Sequence, residues 1–236
     1  MFEDVDEKNR LNRIKWKRRE ASFDSILAEY QLKKLKELIV GPNVCDAGCA
    51  EGLLTRELSK NYPFVMGIDG CASALEEAQK TDKKGMYICS LLETYTPSIL
   101  FNSIILNNVL EHVDCPVDLL KHVKEWCFTP GYIIIVVPNA YSMNRRLGKY
   151  MGLVKNVHDL VESDLCQGHR RVYDKETLQN DIHHSGLTIL EMGGMFLKPL
   201  SNPQMVSFDK QILDALYELG KELPDYCALL YAKCRT

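Results

Sequence analysis

Two glycines stand in the stretch Asp46-Ala47-Gly48-Cys49-Ala50-Glu51-Gly52, between a short apolar run and a helix-like run. Glycine there lets a ligand approach the backbone without a Cβ in the way. A second stretch, Gly168-His169-Arg170-Arg171-Val172-Tyr173-Asp174, brings other chemistry. If extended, it sends His169, Arg171 and Tyr173 to one side and Arg170 and Val172 to the other. A base, a guanidinium and a phenol then share a surface that can take a proton from a hydroxyl and hold a phosphate or carboxylate. The plainer alternative has His169 and Arg171 only tying a loop to the core. His112, after Glu111, is the rival base. Arg145 and Arg146 lie in a basic helix-like stretch beyond a strand end, where they either guide an anionic acceptor or form a solvated face.

These residues need a frame. From Ser22 to Ile39 apolar positions recur at helical spacing, and Gly41-Pro42 stops that helix. Strands follow at Val44–Ala47, Phe64–Ile68, Met86–Cys89, Phe101–Leu106 and Tyr132–Val137, alternating with helices at Leu53–Lys60, Ala72–Gln79 and Pro116–Trp126. The Ile- and Val-rich runs suit strands buried on both faces. This rhythm predicts a Rossmann-like α/β fold, a mostly parallel sheet with helices on both faces.

Residues 139–168 break the rhythm and read as an insertion above the strand ends. Asp174 is the expected N-cap of a helix to His184. A strand at Leu187–Met192, a helix at Phe208–Leu219 and a last strand at Cys227–Cys234 complete a seven-stranded sheet whose terminal strand is antiparallel. The expected organisation is a helical arm or lid over residues 1–40 and a main domain over 41–236, with a cap at about 139–173. Lys15, Trp16, Lys17, Arg18 and Arg19 make a basic knot in the arm.

Composition excludes other classes. With 236 residues, 46% hydrophobic, 26% charged and a net charge of -3, the chain has no strong global pull toward nucleic acid or membrane. No apolar run is long enough to cross a bilayer, and the acidic start lacks the regions of a signal peptide, so the cytoplasm is the expected location. The nine cysteines are odd in number, scattered, and form no C-x-x-C pair, as small buried hydrophobes in a reducing compartment would be.

In open parallel sheets a ligand binds beyond the strands' carboxyl ends, which is where the glycine turn falls. D-x-G-C-A-x-G after the first strand, with Gly67-Ile68-Asp69 ending the second, resembles the class I S-adenosylmethionine-dependent methyltransferases over roughly Val44 to Val137. The resemblance implies S-adenosylmethionine as cofactor and S-adenosylhomocysteine as product. Gly48, Ala50 and Gly52 would pass close to the methionine moiety, with Ala50 replacing a third glycine. Asp46 would orient its cationic amino group, and Asp69 would accept both ribose hydroxyls. Gly70, Ser90 and the Leu91 amide fall at the adenine, and Asn107 beside the methionine portion.

The segment with Val109-Leu110-Glu111-His112-Val113 and the later Val137-Pro138-Asn139 is similar to bacterial small-molecule O-methyltransferases, of the ubiquinone-biosynthesis and surface-polysaccharide kinds. The former can hold a metal through E-x-x-E-H. Asn108 stands at the first position here, leaving Glu111 and His112, so no metal is expected. Methyl transfer to a hydroxyl of a sugar or other anionic metabolite is the favoured expectation, phosphorylated and nucleotide-linked sugars included. A methyltransferase acting on RNA or protein is the alternative, although a nucleic-acid partner is disfavoured by the charge balance. A nicotinamide-dependent oxidoreductase or an inactive binding protein is a third, and it conflicts with the glycine spacing. Oligomeric state, a homodimer included, stays open.

Overall fold

The computed structural model describes residues 23–83 and 85–236. The polar segment before Glu20, with its basic knot, lies outside them. The strands are β1 (Asn43–Ala47), β2 (Phe64–Asp69), β3 (Met86–Cys89), β4 (Phe101–Asn107), β5 (Cys127–Pro138), β6 (Thr188–Met195) and β7 (Leu229–Arg235). They form one sheet in the order β3-β2-β1-β4-β5-β7-β6, mostly parallel, with the terminal strand antiparallel. Ile104, Ile105, Leu106 and every residue from Ile133 to Val137 are fully buried, which is why these strands read as continuous apolar runs.

Helix α1 spans residues 23–38. It is followed by α2 (Leu53–Ser59), α3 (Ala72–Thr81), α4 (Pro116–Lys124), α5 (Met143–Tyr150), α6 (Glu162–Gln167), α7 (Lys175–His184), α8 (Asn202–Met205) and α9 (Lys210–Glu222). Strand β1 pairs in parallel with β2 on one side and β4 on the other. The chain order therefore reverses at β1, and its carboxyl end is the topological switch point of the sheet.

The chain divides into two compact units. Among the described residues, one comprises 34–83, 85–136, 176–192 and 231–236; the other comprises 23–33, 137–175 and 193–230. In the first unit β5 begins earlier than its apolar run implies. Phe101 pairs with Cys127 and Ser103 with Tyr132, so the intervening residues of β5 form an irregularity that side-chain periodicity does not reveal. Helix α4 stops at Lys124, and Trp126 is buried just beyond it.

The second unit has its own core, with Phe23, Tyr30, Phe196, Met205, Leu213 and Tyr217 packed together. The Tyr30 hydroxyl donates to Asp214 at 2.7 Å, so α1 and α9 are joined by a polar contact as well as by burial. Asp209 caps α9 by accepting the Ile212 N–H at 2.9 Å, two residues later than the expected helix start. The short α8 escaped the sequence pattern because four residues make barely one turn, so no apolar spacing can repeat. Five cysteines, Cys45, Cys49, Cys127, Cys227 and Cys234, are buried as small hydrophobes, whereas Cys89 and Cys115 are exposed. Among the described residues no helix is long and apolar enough to cross a membrane.

Candidate functional site

At the switch point the chain leaves β1 and doubles back over β2. The Gly48 and Cys49 N–H groups both donate to the Ile68 carbonyl, at 2.7 and 3.1 Å. Gly48 has φ 85° and Gly52 φ 70°, and Ala50 between them has φ 47°. Three left-handed residues in five make a loop too tight for ordinary side chains. The loop fastens onto the end of β2, where Asp69 Oδ2 accepts the Ala50 N–H and Oδ1 accepts the Cys71 N–H, both at 2.8 Å. Each carboxylate oxygen has capacity for a second donor. A pair of vicinal hydroxyls matches that demand, one to each oxygen.

The glycines serve packing too. A Cβ on Gly48 would lie 2.5 Å from Val109 Cγ2, and one on Gly52 would lie 2.6 Å from the Tyr87 hydroxyl. The sequence suggested that these hydrogens clear space for a ligand; in the structure they face protein. Gly67, whose packing role the sequence pattern did not show, has Cys49 Sγ and Thr55 Oγ1 each 2.9 Å from its would-be Cβ. The turn can sit on β2 only because that position is bare. Gly70 faces the Leu91 side chain, with Cδ2 at 2.9 Å from a built Cβ, and Ser90 donates its N–H to the Asp69 carbonyl at 3.0 Å. Asp69, Gly70, Ser90 and Leu91 are thus brought together at adjacent strand ends.

Asp46 is 2% exposed, and its Oδ2 accepts the Thr55 hydroxyl at 2.6 Å. Burial pushes its pKa up to about 6, with the Asp69 charge adding to the push and the Thr55 hydrogen bond opposing it. Thr55 is a contact the sequence reading missed; its fixed spacing nine residues on, at the inner face of α2, was the available signal. At the end of β4, the Oδ1 atoms of Asn107 and Asn108 are buried without a hydrogen-bond partner. Asn108 has φ 55° and donates its N–H to the Val136 carbonyl at 2.9 Å. A buried carboxylate and unmatched amide oxygens form an acceptor-rich set. An ammonium group satisfies it, and S-adenosylmethionine carries both that group and a ribose diol, so the residues present fit the cofactor.

Glu111 is fully buried in the same unit, and His112, half-buried, donates its N–H to the Val109 carbonyl at 2.9 Å. His169 belongs to the other unit. It is 9% exposed, and its Nδ1 lies 3.7 Å from Asp164 Oδ1. The stretch after it is not a regular strand. Only Tyr173 makes a bridge, parallel to Asn139, and Val172 is buried with Ala140 and Val157. Arg170 is exposed, Arg171 half-buried and Tyr173 buried. Asp174, expected as an N-cap, meets His158 Nε2 at 2.9 Å.

The structure gives Arg145 a different task from the one expected. Its Nε donates to the Val157 carbonyl, Nη1 to Asp164 Oδ2 at 3.0 Å, and Nη2 to the Asp159 carbonyl. The guanidinium is committed to tying α5 to α6 and the loop before it. Arg146 lies over the Tyr226 ring, Cζ 4.9 Å from its centroid, a cation–π contact.

Comparison with known proteins agrees with this geometry. A family model described as a methyltransferase domain matches residues 15–192. The mitochondrial ubiquinone biosynthesis O-methyltransferase of Homo sapiens is 27% identical over 202 residues, covering 80% of this chain and 53% of that protein. The Rattus norvegicus protein of the same name is 26% identical and covers 68% of this chain and 48% of its own length. The chain thus spans about half the length of these two relatives. The Rickettsia typhi ubiquinone biosynthesis O-methyltransferase is 26% identical, over 85% of this chain and 83% of that one.

Two solved structures share the fold. An S-adenosylmethionine-dependent methyltransferase from Mesorhizobium loti has a TM-score of 0.64 at 18% identity, covering 91% of this chain and all of that one. The plantazolicin methyltransferase BpumL, solved with S-adenosylhomocysteine, has a TM-score of 0.62 at 20% identity, covering 100% of this chain and 91% of that one. With the family model matched over 178 of the 236 residues, the chain belongs to the methyltransferase-domain family, and the cradle of acceptors at the switch point fits S-adenosylmethionine.

Proposed function

We propose that the protein methylates a hydroxyl of a small anionic acceptor, either a sugar derivative or a phenol. The observation that carries the cofactor half is the Asp69 carboxylate, held by the Ala50 and Cys71 amides at the end of β2. Support for a hydroxyl acceptor comes from the relatives named as O-methyltransferases. S-adenosylmethionine supplies an electrophilic methyl group on a sulfonium. Asp69 holds the ribose, and Asp46 with Asn107 holds the methionine ammonium; Gly48, Ala50 and Gly52 shape the turn between them, and Gly70, Ser90 and Leu91 meet the adenine. His169 removes the acceptor's proton, with His112 as the rival base. Arg146 and Arg171 draw the acceptor's anionic group, and Tyr173 fixes the segment that carries Arg171. The insertion at 139–173 acts as the acceptor-recognition cap.

The test is transfer of radiolabelled methyl to nucleotide sugars, phosphorylated sugars, phenols and amines. Label should enter an anionic hydroxyl compound. His169→Ala should lower kcat by about a hundredfold, within the range for loss of a general base, with cofactor affinity unchanged. Activity in His169→Ala together with a dead His112→Ala moves the base to His112. Transfer to amines alone overturns the reading.

A further inference from the structure

We infer that Asp164 is a positioning residue that sets the tautomer and ring orientation of His169, an inference that rests on His169 being the base. The local fold carries it. Helix α6 ends at Gly168 in the left-handed conformation, φ 81° and ψ 22°. The Gly168 N–H donates to the Leu165 carbonyl at 3.0 Å and the His169 N–H to the Asp164 carbonyl at 2.9 Å. This paired pattern is the Schellman motif, with His169 just past the glycine and Asp164 in the last turn. The motif brings those two side chains together, and the pair found there in most proteins is hydrophobic. Here it is a carboxylate and an imidazole, 8% and 9% exposed, with Oδ1 and Nδ1 3.7 Å apart.

The carboxylate is not free to turn away. Its Oδ2 accepts two hydrogen bonds at 3.0 Å, from Arg145 Nη1 and from the Val161 N–H at the start of α6. With Oδ2 doubly loaded, Oδ1 is the oxygen left toward the ring. At 3.7 Å the pair is an ion-pair contact longer than a hydrogen bond, and the carboxylate's charge favours a proton on the nitrogen that faces it. An acceptor facing Nδ1 selects the tautomer protonated there, which leaves the lone pair on Nε2. When an acceptor hydroxyl loses its proton, that proton passes to Nε2 and the ring becomes a cation beside the Asp164 charge. The Arg145 guanidinium, first expected to guide substrate, is in this scheme the group that aims Asp164.

The tautomer can be read without any acceptor. Two-bond 1H–15N correlation spectra of the full chain at pH 8 report which ring nitrogen of each histidine is protonated, and the signal lost in His169→Gln identifies His169. The expected wild-type form is Nδ1–H. In Asp164→Asn the side-chain oxygen can still face Arg145 and Val161 while the amide nitrogen donates toward the ring, so His169 should switch to Nε2–H. An Nε2–H ring in the wild type, or an unchanged Nδ1–H ring in folded Asp164→Asn, overturns the inference. The wild-type spectrum decides alone if the variant does not fold. Loss of the base reading is distinguishable, since it would appear as methyl-transfer activity surviving in His169→Ala whatever the tautomer.

Discussion

Asp69 Oδ2 accepts the backbone N–H of Ala50 at 2.8 Å, so the carboxylate ending β2 and the glycine turn after β1 form one rigid piece. The Cys71 amide on the other oxygen completes the clamp. The ring of donors fixes the carboxylate before any ligand arrives, and ordering it costs little at binding.

Asp69→Ala should therefore weaken S-adenosylmethionine binding at least tenfold in calorimetry, since two charged hydrogen bonds are each worth about 1.5 to 3 kcal/mol before solvent competition. Unchanged affinity would remove Asp69 from the ribose site.

Asp46 carries a stability cost through its burial. Its folded pKa of about 6 lies above the ordinary 3.8, so the native state holds the extra proton between those values. Stability from this group is therefore lost as pH rises from about 4 to 6 and stays lost above, by about 3 kcal/mol at 1.36 kcal/mol per pH unit. Asp46→Asn should raise the Tm of the cofactor-free protein at pH 7.5 and change it little at pH 4, while weakening S-adenosylmethionine. Equal Tm values at both pH values would contradict the desolvated carboxylate.

Within the turn, two small residues should respond in opposite ways. Gly48→Ala sets a Cβ 2.5 Å from Val109 Cγ2 at φ 85° and should cost about 2 kcal/mol or more in denaturant unfolding. Ala50→Gly relieves a left-handed alanine at φ 47° but loosens the unfolded chain, so the two effects should cancel to within about 1 kcal/mol. A large loss in Ala50→Gly would mean that the alanine methyl itself makes a needed contact.

Adjacent arginines should separate structure from recognition. Arg145→Ala removes the ties to Val157, Asp159 and Asp164 and should lower Tm by several degrees, at about 1.5 to 3 kcal/mol for a charged hydrogen-bond network. Arg146→Ala loses only the contact with the Tyr226 ring, so it should lower Tm by less than Arg145→Ala, by about 1 to 4 degrees, and raise KM for an anionic acceptor. A matching rise for a neutral acceptor would count against anion recognition.

How much of this was legible depended on range. The strand rhythm, the turn after β1 and Asp69 at the end of β2 could be read from sequence because each depends on neighbours within a few residues: apolar runs bury, glycines permit left-handed φ, and a strand end exposes its last carboxylate. The helix stop at Gly41-Pro42 was equally local. What only the tertiary structure decided lies at contacts between distant segments. Arg145 reads as a free surface cation until the chain returns with the carbonyls of Val157 and Asp159 and the carboxylate of Asp164, which take up its donors. Val172 alternates correctly on paper, yet its burial follows from Ala140 and Val157. The bareness of Gly67 matters only because Cys49 and Thr55 arrive above it. Sequence thus determined the local backbone that builds the cofactor turn, whereas folding decided which charged side chains remain available, because a charge is consumed by whichever partner three-dimensional packing brings within hydrogen-bond reach.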